Sequence, residues 1–255
     1  MKKTKERKVN FDNNCKWLFE KPMYHRGKFD NVKVYENTMS AFKESMKDES
    51  PFEFDVQLTS DGEVICFHDD DLKRLFNRNR LVREISYKRI NKLRDDLQVP
   101  LFKDVLKEIN GKVELMIEIK HTTSKFNHHL VKKVYELLKD YKGKYVIVSF
   151  NSFILKQYRS LDKNAFLGKI GSGNSKGINK LVVKYNWFSS LAKPDFYSYD
   201  IDAYDAKLLG KYHKKGYKIT GWALKDKNRI SELDKDFDNY IVESFSTKEV
   251  KKWSV

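Results

Sequence analysis

Short runs rich in β-branched and aromatic residues recur along the chain from Met23 onward, each followed by a longer run with apolar positions three and four residues apart. The short runs read as strands and the longer ones as amphipathic helices, and their alternation predicts parallel strands joined by crossover helices. Eight strands are predicted, at Met23 to His25, Phe52 to Leu58, Val113 to Ile119, Tyr145 to Phe150, Ala165 to Ile170, Phe196 to Tyr199, Lys218 to Ala223 and Tyr240 to Glu243. Helices are expected over Thr38 to Lys47, Asn127 to Tyr141, Ser152 to Leu161, Ala203 to Lys215 and Lys227 to Leu233. Eight such units close a TIM-type (β/α)8 barrel, so the expected class is α/β. The expected organisation is a basic arm over residues 1–21 and one barrel domain over 22–255. A hairpin and small insertion at 61–111 separate the second and third barrel strands.

Composition narrows the function classes only a little. Of 255 residues, 40% are hydrophobic and 14% aromatic, enough for one large core. No apolar run approaches the roughly 18 residues of a membrane span. The basic start, MKKTKERKVNFDNN, precedes no apolar stretch and so does not read as a signal peptide, which predicts a cytoplasmic protein. Cys66 lies in an apolar run and Cys15 far from it in sequence, and no disulfide is expected. The net charge of +15 admits anionic partners. Its lysines are spread among acids with no nucleic-acid recognition motif, so no nucleic-acid partner and at most peripheral membrane contact are expected.

The candidate chemistry begins at Phe52 to Leu58. Period two sends Phe52, Phe54 and Val56 to one face and Glu53, Asp55 and Gln57 to the other, aiming two carboxylates at one place. Side by side they repel, unless a cation or water lies between them. The next residues, Ser60-Asp61-Gly62, form a turn signal. A two-residue Asp61-Gly62 loop would pair Ser60 with Glu63 and carry His68 opposite Asp55. A third carboxylate, Glu118, shares the polar face of its strand with Lys120, and in a parallel barrel the strand ends converge on one mouth. His25 and Arg26 close the first strand and reach the same mouth. Three carboxylates favour a hard divalent ion, Mg²⁺ or Ca²⁺ with Mn²⁺ as an alternative, over zinc. His121, His128, His129 and His213 show no zinc-ligand spacing.

Five ordered motifs complete the picture: His25-Arg26-Gly27, Glu36-Asn37-Thr38, Glu53-Phe54-Asp55-Val56, Thr59-Ser60-Asp61-Gly62 and His68-Asp69. In these, and in Glu118-Ile119-Lys120, Ser149-Phe150 and Trp222, the chain resembles the glycerophosphodiester phosphodiesterase family over essentially its whole length. It departs from that pattern at Tyr35, at Ala223-Leu224, and at Asn239 to Ser244, where NYIVES replaces the commoner DGIITD. The resemblance implies a TIM barrel with Glu53, Asp55 and Glu118 as metal ligands and His25 and His68 as the acid–base pair. Arg26 and Lys120 would face the phosphate, and Phe150 and Trp222 would wall the mouth. The implied reaction is hydrolysis of a glycerophosphodiester to glycerol 3-phosphate and an alcohol. A lyase giving a cyclic phosphate from lysophospholipids, and a non-catalytic barrel binding anionic lipid, are the alternatives. Asn37 and Thr38 are expected only to start the following helix.

Overall fold

The computed structural model describes residues 15–174, 186 and 188–250. Eight parallel strands close on themselves: β1 (Met23–Tyr24), β2 (Phe52–Leu58), β4 (Leu115–Ile119), β5 (Tyr145–Ser149), β6 (Leu167–Gly171), β7 (Phe196–Asp200), β8 (Ile219–Leu224) and β9 (Asn239–Val242). Closure comes from β1, which pairs with β9 on one side and with β2 through Tyr24 and Phe52 on the other. A ninth strand, β3 (Val64–Cys66), runs antiparallel along the upper part of β2. It has room there because β1 is only two residues long: the chain turns out of the sheet at Arg26 and Gly27, both at positive φ.

The strands are buried on both faces, as a barrel sheathed in helices requires. Phe52, Phe54, Val56, Leu115, Ile117 and Ile119 face the helix layer, where Phe42 and Phe102 pack against them. Met23, Met116, Val146, Val148, Ile170 and Ile241 fill the barrel axis. Trp17, Leu18 and Phe19, from the segment placed by sequence in the basic arm, join that interior cluster from a 3₁₀ turn at Lys16–Phe19. Apolar side chains ahead of β1 thus pack on the axial layer. Cys15 and Cys66 are both buried free thiols. The basic cluster of residues 2–8 lies outside the described residues.

Helices α1 (Met39–Lys47), α5 (Ser124–Leu138) and α6 (Ser152–Leu161) match predicted segments to within three residues. Thr38 caps α1, its hydroxyl oxygen accepting the Ala41 N–H at 3.3 Å. Between β3 and β4 the chain forms α2 (Lys73–Phe76), a 3₁₀ turn (Val82–Glu84), α3 (Tyr87–Ile90) and α4 (Phe102–Ile109). This connection has its own small core around Phe67, Leu72, Phe76 and Ile90. No helix among the described residues is long and apolar enough to cross a membrane.

The hairpin register is a correction to the sequence reading. Thr59, not Ser60, pairs with Glu63: the Thr59 N–H reaches Glu63 O at 3.0 Å and the Gly62 N–H reaches Thr59 O at 3.0 Å. The loop therefore holds three residues, with Gly62 at φ 78° taking the left-handed step that closes it. One extra loop residue slips the ladder by one, so Val56 faces Cys66 and the Phe67 N–H, rather than anything on His68, donates to Asp55 O at 3.1 Å.

Candidate active site

Parity along β2 and β4 sets the site. With Asp55 beside Glu118 in the parallel register, Glu53, Asp55 and Glu118 turn inward near the C-terminal ends of their strands. Glu53 is 5% exposed and Asp55 1%, which rules out the solvated amphipathic strand that an isolated pair of acids would ordinarily indicate. One ligand atom from each of the three carboxylates lies within 4.8 Å of the others.

Such a cluster is unfavourable unless cations offset it. Burial, then the charges of Asp55 and Glu118, push the Glu53 carboxyl well above its ordinary range. Burial also raises Glu118. Burial acts on Asp55 in the same sense but is overcome by Lys120, His68 and Arg26 and by a hydrogen bond from Asn37, so that carboxyl is held low. Lys120 Nζ lies 3.3 Å from Asp55 Oδ1 and 3.1 Å from Glu118 Oε1. The Arg26 N–H donates to Glu53 Oε2 at 3.1 Å, and the buried Arg26 Nε lies 3.5 Å from Asp55 Oδ2. Three oxygen donors around one point, two of them driven toward protonation, fit a hard divalent cation.

The imidazoles flank this cluster. His25 Nε2 lies 4.0 Å from Glu53 Oε2, and its Nδ1 is 2.7 Å from Glu243 Oε2. Burial and the neighbouring Arg26 lower its pKa, against the pull of Glu243. His68 leaves the sheet beyond β3, so the mouth receives it by a route other than strand register. Gln57 Nε2 donates to the carbonyls of Phe67 and Asp69 at 2.8 and 2.7 Å, pinning the backbone on both sides of His68. The His68 Nδ1 lies 2.7 Å from Asp69 Oδ1. Arg74 joins Asp69 to Glu36, which in turn takes the Arg26 guanidinium at 2.7 Å.

A cavity of about 70 Å³ opens between these groups, lined by His25, Arg26, Glu53, His68 and Glu118 together with Phe150 and Trp222. Those two rings meet edge to face at 5.7 Å, and the Trp222 Nε1 has no hydrogen-bond partner. Lys120 contacts the carboxylates from beside the cavity. A larger cavity, about 460 Å³, lies between residues 27–31 and 242–246 and shares only Glu243 with this chemistry.

Several contributors escaped the sequence reading. Asn37 does more than start α1: it is buried at positive φ, its Nδ2 donates to Asp55 Oδ2 at 2.9 Å, and its Oδ1 accepts the Asp55 N–H at 3.1 Å. Its place in the Glu36-Asn37-Thr38 motif was the available signal. Lys169 is buried, donates to the carbonyls of Phe150 and Ile170, and is pushed by burial down to about 7. Glu243 falls in the NYIVES run and touches His25, so that departure reaches an imidazole of the site.

Fold and site together define a class: closed parallel barrels whose C-terminal mouth holds an acidic cluster flanked by imidazoles. Within that class the chain belongs to the glycerophosphoryl diester phosphodiesterase family, whose sequence model matches residues 25–249. A glycerophosphodiester phosphodiesterase of Caldanaerobacter subterraneus is 29% identical over 157 residues, 56% of this chain and 63% of that one, so the match spans less than two thirds of the relative's length. The solved structure of a glycerophosphodiester phosphodiesterase from Thermotoga maritima aligns with a TM-score of 0.66 at 25% identity, covering 86% of this chain and 92% of that one. A phosphodiesterase of Oleispira antarctica, solved in complex with the product sn-glycerol-3-phosphate, shares the fold with a TM-score of 0.74 at 18% identity over 93% of this chain and 98% of that one.

Proposed function

We propose that the protein hydrolyses glycerophosphodiesters to glycerol 3-phosphate and an alcohol, with a divalent cation at Glu53, Asp55 and Glu118. The observation that carries this reading is the convergence of those three carboxylates within 4.8 Å beside a cavity lined by His25 and His68. Family membership and the Oleispira product complex support the substrate class. When bound, Mg²⁺, Ca²⁺ or Mn²⁺ supplies Lewis-acid polarisation of the phosphoryl oxygens and offsets their charge.

The chain's own residues supply the rest. Arg26 and Lys120, each already paired with the acidic cluster, offer positive charge to the phosphate. His25 is held neutral by burial and Arg26, which suits it to take the proton from the attacking water. His68, turned by the Asp69 carboxylate, gives a proton to the departing alkoxide as the phosphorus–oxygen bond breaks. Phe150 and Trp222 give the cavity an apolar wall.

The test uses the full chain, stripped with a chelator and reloaded with each ion. Glycerophosphocholine, glycerophosphoethanolamine, glycerophosphoglycerol and glycerophosphoinositol are supplied in turn, and glycerol 3-phosphate release is followed. His25→Ala and His68→Ala should each lower kcat by about 10²–10⁴, the usual share of acid–base catalysis. Failure to release glycerol 3-phosphate from any of the four, or full activity in both variants, rejects the proposal. A persistent cyclic phosphate in ³¹P NMR would replace hydrolysis with intramolecular transfer.

A further inference from the structure

We infer that Glu243 is the positioning residue for His25, fixing the imidazole with its Nδ1–H in the carboxylate and its Nε2 turned to the acidic cluster. The inference rests on the acid–base role proposed above for His25. It begins in the sheet. β9 pairs with β1 in the register Met23 to Ile241 and Tyr24 to Val242, so positions 25 and 243 emerge side by side where the strands end. The backbone holds both. The His25 N–H donates to Val242 O at 2.8 Å, and the Glu243 N–H donates to Leu224 O at 2.8 Å, tying the pair to three neighbouring strands.

The side chains meet under similar constraint. Glu243 Oε2 lies 2.7 Å from His25 Nδ1, while Glu243 Oε1 faces Lys225 Nζ at 3.2 Å. The two side chains are only 18% and 13% exposed. An ionised carboxylate accepts and never donates, so the proton of a neutral His25 must sit on Nδ1. Its lone pair then sits on Nε2, the nitrogen nearest Glu53, at 4.0 Å. Burial opposes the charge on Glu243, but the bond to His25 and then Lys225 hold the carboxyl low. Rotating the ring by half a turn would break the 2.7 Å bond and leave a part-buried carboxylate oxygen unpaired. Glu243 thus selects both the orientation and the tautomer in which the imidazole can accept a proton at the cavity.

The test combines spectroscopy with kinetics on the metal-loaded full chain. With ¹⁵N-labelled histidine, and His25→Ala to assign the signal, His25 in the parent should show a protonated Nδ1 and an unprotonated Nε2. The reverse pattern overturns the inference without any variant. Glu243→Ala should release the tautomer and lower kcat about 10- to 100-fold with KM within about 2-fold, a share of the acid–base contribution. Glu243→Gln, whose amide oxygen still accepts the Nδ1–H, should keep the tautomer and recover most of kcat. An Ala variant with the parent's ¹⁵N pattern and kcat, or a Gln variant as impaired as Ala, defeats it. The ¹⁵N pattern is read without turnover, so a protein inactive on every glycerophosphodiester but with the predicted tautomer would retire the hydrolase reading alone.

Discussion

Replacing Glu53 with Gln should stabilise the metal-free protein while abolishing its response to divalent ions. The perturbation removes one of three buried charges whose ligand atoms lie within 4.8 Å of one another. At that distance and an effective dielectric constant of about 20, two carboxylates repel by about 3.5 kcal/mol. The relief is smaller than that wherever Glu53 is already protonated, and Gln keeps the hydrogen bond that Arg26 N–H makes at 3.1 Å. Glu53 faces two such partners, so at roughly 2 °C per kcal/mol for a chain of this size the gain in Tm is roughly 14 °C when all three carboxylates are charged. The pH dependence follows from the sign of the shift. The native Glu53 carboxyl titrates well above its ordinary 4.5, so above 4.5 the unfolded chain has lost a proton that the native state retains. Stability of the metal-free parent therefore falls as pH rises from 4.5 toward the native value, and the loss is complete beyond it. The lowered pKa of His25 works the other way below 6.5, so the two proteins are compared above that pH, where the imidazole is neutral folded and unfolded. Differential scanning fluorimetry between that pH and pH 8 measures this, with and without an ion at about 100 times its Kd. The parent should gain about 2.7 kcal/mol from the ion, whereas Glu53→Gln should gain nothing. A metal-free variant no more stable than the parent at pH 8, melting upward with the ion just as the parent does, would refute the charge argument.

Two further outcomes test the supports of the site. Asn37→Ala removes both of the hydrogen bonds that hold Asp55 and should cost about 1–3 kcal/mol in a urea titration. Metal affinity measured by chelator competition should weaken about 10- to 100-fold, and an unchanged affinity would remove Asn37 from the site. Phe54→Ala empties the space between Phe42, Phe52 and Phe102, whose ring centroids lie 5.2 to 5.9 Å away, and should cost about 3–5 kcal/mol. Because Phe54 faces the helix layer, kcat per folded molecule should be preserved at low temperature, and a matching loss in kcat would show that the two faces of β2 are coupled.

The alternation of Phe52, Glu53, Phe54 and Asp55 determined by itself which side chains enter the barrel, because a strand can present them in no other way. The eight-fold recurrence of strand and helix likewise determined the barrel, since parallel strands with crossovers and no free edge have few other solutions. Glu118 was reachable by the same parity, and the ordered motifs pointed to His25 and His68. The strand positions for all eight barrel members were legible for this reason.

What tertiary structure decided was every relation between segments far apart in sequence. Whether the hairpin loop held two residues or three depended on a balance of turn energies that the letters Thr-Ser-Asp-Gly leave open, and that one residue changed how His68 arrives. Glu243 meets His25 across 218 positions, and Asn37 meets Asp55 across 18, only because ladder register brings their strands and loops together. Side-chain parity is a property of one strand, fixed by its covalent geometry. Register between strands, and the pairing of buried charges that follows from it, is a property of the closed barrel, fixed only when all of its contacts are made at once.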